Sequence, residues 1–92
     1  MTPKVAKDEE GRPIRSGDYI TFTFGIPPIC VTARVYQANE ELQIECIHPV
    51  DVTPKRESLA NLMEWYQVWR APNERVANIM TQQRKDAARA RE

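Results

Sequence analysis

Cys30, Cys46 and His48 are the only soft metal ligands in this chain of 92 residues. Zinc takes such residues in pairs a few positions apart, and Cys46-Ile47-His48 is the nearest approach to that pattern. Alternation along the two segments that hold them puts Cys46 on a core face and Cys30 on the opposite one. That geometry opposes both a shared metal and a disulfide, whose Cβ vectors must converge. A metal or redox role through these three residues is therefore the remotest reading, and structural thiols are expected. No Gly-rich phosphate loop, H-E-x-x-H or other nucleophile–base signature appears. Asp18 and Asp51 stand alone in turn contexts, where such acids bond local backbone. His48 precedes Pro49 and reads as a turn or rim residue. We expect no catalytic residues, no metal and no cofactor.

Aromatic and basic residues carry the better signal. Tyr19 and Tyr36 fall on the non-core side of their segments, while Trp65, Tyr66 and Trp69 crowd one stretch. Exposed aromatics beside loops make docking grooves for peptides or stacked bases. Pro27 and Pro28, after Gly25-Ile26, make a stiff loop with an apolar tip. Arg84, Lys85 and Arg89 lie in a C-terminal stretch that also holds Arg75 and Arg91, and could meet phosphates or an acidic protein. The candidate binding residues are thus Tyr19, Tyr36, Pro27, Pro28, Trp65, Trp69, Arg84, Lys85 and Arg89. Each has a plainer reading: the tryptophans complete a thin core, and the basic stretch is a solvated helix interrupted by Glu74, Asp86 and Glu92.

The elements that must position these residues follow from hydrophobic periodicity. Ser16-Gly17-Asp18 is a turn feeding Tyr19 to Phe24, where Ile20, Phe22 and Phe24 alternate with Tyr19, Thr21 and Thr23. After the proline break, Ile29, Val31, Ala33 and Val35 alternate with Cys30, Thr32, Arg34 and Tyr36. Asn39-Glu40 closes a turn into Leu42, Ile44 and Cys46. Setting Phe24 opposite Ile29 places Phe22 across from Val31 and Ile20 across from Ala33. Closing the second turn sets Val35 across from Ile44, Ala33 across from Cys46 and Arg34 beside Glu45. Both registers put the apolar residues on one face, as a half-buried antiparallel sheet requires.

His48 to Pro54 reads as a loop or a short edge strand, since proline excludes a central one. Residues 57–69 read two ways. One is a single helix with a Leu59, Leu62, Met63, Tyr66, Trp69 stripe. The other is a helical turn at Ser58 to Leu62 followed by a strand from Trp65 to Trp69, on which both tryptophans would share a face. The order of elements, meander, helical turn and closing strand, resembles an SH3-like small β-barrel over about Ser16 to Arg70, as architecture and not as a specific family. The fold class is mainly β with a C-terminal helix, an SH3-like partly open antiparallel barrel. The alternative is α+β, a three-stranded antiparallel meander packed by a helix at about 55–70.

Residues 1–15 read as a flexible charged leader, 16–71 as the barrel-like domain and 72–92 as a C-terminal helix or tail. That helix would start near Asn73, with Val76, Ile79 and Met80 on one side as a possible homodimer seam. Lys and Arg number 7 against 10 Asp and Glu up to Trp69, and 6 against 3 from Arg70 onward. The body is thus acidic and the tail basic, by three charges each way. No signal peptide or membrane-length apolar run is present, and two cysteines without a secretion signal point to the cytoplasm. The reading that follows is a small non-catalytic module binding a protein partner, with no membrane role. The alternative is a small nucleic-acid-binding protein using the basic helix and exposed aromatics.

Overall fold

The computed structural model describes residues 6–25, 29–48 and 55–90. Five strands and two helices run in the order β1 (Tyr19–Phe24), β2 (Ile29–Ala38), β3 (Glu41–His48), β4 (Arg56–Ser58), α1 (Leu59–Trp65), β5 (Trp69–Ala71) and α2 (Glu74–Ala90). The strands form one antiparallel sheet in the spatial order β4-β3-β2-β1-β5. The sheet does not close, and with its C-terminal helix it makes a small, partly open barrel-like fold. The α+β alternative does not form.

Both expected registers hold: Phe22 pairs Val31, Ala33 pairs Cys46 and Val35 pairs Ile44. Side chains from alternate positions of β1, β2 and β3 therefore meet on one face. There Ile20, Phe22, Val31, Ala33, Val35, Ile44 and Cys46 pack with Leu59, Leu62 and Val68. The β2–β3 turn is tight because Asn39 and Glu40 both take positive φ, 53° and 65°. Two such residues twist the chain in the sense that the strands already twist.

The pairing departs from strict alternation once. Ala33 faces Cys46, but its neighbour Thr32 faces His48. The extra residue, Ile47, makes a bulge that turns His48 onto the side of the sheet away from the core.

Of the two readings of 57–69, the helical turn followed by a strand is closer, with shifted boundaries. Ser58 caps α1 by accepting from the Asn61 N–H at 3.2 Å. Leu59 and Leu62 then face the core and Met63 packs against it. The helix stops after Trp65, where Tyr66 turns extended. Trp65 is therefore helical, and the closing strand starts only at Trp69. A short fourth strand, Arg56–Ser58, pairs with β3 where no strand was expected. Residues 49–54 lie outside the described residues.

The flexible leader expected over 1–15 does not hold from Ala6 onward. Ile14 enters the core, and Ile14 donates its N–H to Ala6 O at 2.8 Å. The tie is Asp8, whose side chain is fully buried. Its Oδ1 accepts the Glu10 and Arg12 backbone N–H groups, and its Oδ2 accepts Arg12 Nε and the Arg70 N–H. One carboxylate thereby supplies the acceptor that the outer edge of β5 lacks, and so covers an exposed sheet edge. The local composition is polar, but one apolar residue and one hub acid suffice to anchor the segment.

The tail also folds back. Asn73 caps α2 by accepting the Val76 N–H at 2.9 Å. The helix then crosses the sheet face opposite the core, over β1, β2 and β5. Its contact residues are Ala77 and Thr81, both buried. Val76 and Met80 flank them half-buried while Ile79 is exposed, so most of the expected dimer seam is used within the chain.

Candidate functional site

The structure splits the predicted aromatic cluster into two places. Trp65 ends α1 with 76% of its surface exposed. Tyr66 follows at 36%, its ring 5.9 Å from that of Phe22 and tilted by 40°. Phe22 thus supports Tyr66 from below, and Trp65 stands beside it in solvent.

Tyr19, Tyr36 and Trp69 occupy the other side of the sheet, half-buried. The Arg34 guanidinium lies 5.6 Å from the Tyr36 ring centre and also pairs with Glu45 at 3.3 Å. Trp69 is covered by Arg84, 3.8 Å from its ring centre. The expectation that Trp65 and Trp69 share a strand face is therefore corrected: a helix end separates them.

Four residues form a row across this second face, since Trp69 pairs Thr21, Thr21 pairs Thr32 and Thr32 pairs His48. Helix α2 lies over the row, with the Thr81 hydroxyl 2.8 Å from that of Thr32. Asn78, Thr81, Gln82 and Lys85 of α2 and His48 of β3 line a half-open surface pocket of about 240 Å³. At the other end of the row, Arg84 is half-buried over Trp69. Its Nη1 is buried without an acceptor, as is the Thr21 hydroxyl. Burial pushes the Arg84 guanidinium below its usual range, and Cys30 acts weakly the other way.

A second cleft of about 510 Å³ lies across the core edge between the N-terminal segment, the β2–β3 turn and the start of α1. Ala6, Ile14, Leu42, Leu59 and Ala60 form its apolar part, and Arg15, Glu40 and Glu41 its charged rim. Nothing in it converges as catalytic groups do.

The three soft ligands do not come together. Cys46 faces the core and Cys30 the opposite face, and no disulfide joins them. Burial pushes the Cys46 thiol up, and Glu45 beside it adds in the same sense. Asp18 bonds local backbone as expected, accepting the Arg15 N–H at 2.8 Å, and in addition accepts from Arg70 Nε at 2.9 Å. Burial pushes its carboxyl up, but these donors outweigh that and hold it below its usual range.

Of the predicted binding residues, Trp65 is exposed and Lys85 lines the smaller pocket. Trp69 and Arg84 are held between α2 and the sheet, and Tyr19 and Tyr36 are half-buried on the same side of the sheet. Pro27 and Pro28 lie outside the described residues, as does the side chain of Arg89. Tyr66 and His48 were not among the predicted binding residues. Crowding beside Trp65 was a signal for Tyr66; none announced the bulge that turns His48. No family model matches this chain, and no curated protein or solved structure is significantly similar to it.

Proposed function

We propose that this chain is a non-catalytic protein-interaction module that docks a partner on Trp65 and Tyr66. The carrying observation is the indole of Trp65, presented at 76% exposure on a helix end that the core holds rigid through Leu59 and Leu62. A tryptophan side chain can bury on the order of 200 Å², worth about 5 kcal/mol at ~25 cal/mol per Å² before the costs of association. That is hot-spot size. Two cysteines that no disulfide joins fit a reducing, cytoplasmic setting, which belongs to the same proposal.

The nucleic-acid alternative draws less support. Arg84, one of its expected phosphate contacts, is committed to Trp69 and covers that ring, while Tyr19 and Tyr36 are half-buried. Quantitative affinity capture from the native host tests the proposal, with wild type and Trp65→Ala run side by side. A partner retained by wild type and depleted about tenfold or more by the variant is expected, as a loss of ~1.4 kcal/mol gives. If every captured protein is retained equally by both, Trp65 is not a docking residue.

A further inference from the structure

We infer that the pocket between α2 and the bulged end of β3 binds a phosphate-type oxyanion. It lies on the face opposite the core and does not depend on the reading of Trp65. At about 240 Å³ it offers roughly eight water volumes of ~30 Å³ each, ample for a tetrahedral oxyanion. Its lining is His48, Asn78, Thr81, Gln82 and Lys85, a set of an ammonium, an imidazole, two carboxamides and a hydroxyl without a carboxylate. Such groups donate hydrogen bonds to phosphate oxygens, and the ammonium supplies point charge.

Two features of the fold assemble the set. The bulge after Cys46 turns His48 to this side, into register with Thr32. The Thr32–Thr81 hydroxyl pair fixes the helix over that position. Asn78, Gln82 and Lys85 then recur at helical spacing on the flank of α2 that faces His48.

The surrounding charge favours an anion. Lys85 supplies the positive charge at the pocket, while its neighbour Arg84 lies at the other end of the row over Trp69. Glu45 on β3 is already held between Arg34 at 3.3 Å and Arg56 at 3.0 Å. Asp86 is the one opposing group on this stretch of helix. It accepts from Gln82 Nε2 at 3.1 Å, which leaves that amide a second N–H for a ligand.

The test is titration of inorganic phosphate into the isotope-labelled full chain at constant ionic strength, followed by amide NMR shifts. Saturable shifts confined to His48, Asn78 and Thr81 to Lys85 are expected. Lys85→Gln should weaken binding about tenfold, the equivalent of one charge-assisted hydrogen bond. Asp86→Asn should tighten it roughly two- to threefold by removing the opposing charge. A short thymidine oligonucleotide separates the sources. Tighter binding than free phosphate at the same amides, falling steeply with salt, identifies a nucleic-acid backbone. Equal or weaker binding identifies a small phosphate compound. Shifts that fail to saturate, that chloride reproduces, or that Lys85→Gln leaves unchanged overturn the inference.

Discussion

Replacing the buried acid Asp8 by asparagine should destabilise the whole domain while changing only one side-chain atom. The carboxylate takes two backbone N–H groups on Oδ1 and two donors on Oδ2, with Arg12 Nη2 also within 2.8 Å. An amide keeps one acceptor oxygen and turns an NH₂ toward the remaining donors. With the oxygen at the Oδ1 position, the Arg70 N–H and the Arg12 guanidinium lose their acceptor and face another donor. Arg12 is partly exposed and can turn to water, so its share is small. The Arg70 N–H is part-buried in the strand edge, and stranding it costs about 1–3 kcal/mol. Together Asp8→Asn should cost roughly 2–3 kcal/mol, a Tm drop of about 10–20 °C for a domain this size. Urea unfolding of both proteins at neutral pH measures it. The gap should also close in acid. Burial pushes the Asp8 carboxyl up, but the donors from Arg70 and Arg12 win and hold it below its usual range. The carboxylate's contribution is then complete above the unfolded-state pKa of ~3.9 and is lost as pH falls through the lower folded value. An Asp8→Asn protein within ~0.5 kcal/mol of wild type at neutral pH would refute the hub role.

Glu40→Gly should stabilise the chain by about 1 kcal/mol in the same urea assay, because Glu40 holds φ near 65°, where a Cβ is penalised and glycine is not. Thr32→Val should cost about 1–2 kcal/mol by stranding the buried Thr81 hydroxyl, whereas Thr32→Val with Thr81→Val should recover much of that loss. A double mutant no better than the sum of the two singles would show that the hydroxyl pair does not couple α2 to the sheet. Trp65→Ala should leave Tm within a few degrees of wild type, since the indole is mostly in water. Trp69→Ala, which removes the platform under Arg84, should lower stability by about 2 kcal/mol.

The β1–β2–β3 meander was legible because its information is local. Period-two alternation between Tyr19 and Cys46, interrupted at Gly25 and Asn39-Glu40, leaves one register that puts Ile20, Phe22, Val31, Ala33, Val35, Ile44 and Cys46 on a single face. The cross-strand pair of Arg34 and Glu45 followed from that register. The closing elements were harder, because Trp65 to Trp69 combines β-forming residues with a helical stripe. Leu59 and Leu62 reaching the core decided for helix, and the pairing of Trp69 with Thr21 decided for strand. The candidate sites were legible in kind but not in place. Aromatic crowding pointed to Trp65, yet only packing showed that Trp69 lies under Arg84 while Trp65 stands in solvent.

By itself, then, the amino-acid order determined a small antiparallel meander, its core face and its acidic-body, basic-tail division. Those rest on spacing between near neighbours. Tertiary structure alone decided that Asp8 reaches the N–H of Arg70, sixty-two positions away. It also decided that α2 settles on a row of threonines and that a bulge brings His48 beneath Lys85. None of these leaves a periodic apolar signal. A carboxylate hub, a hydroxyl pair and one extra strand residue act through hydrogen-bond geometry, which exists only once distant segments are in contact.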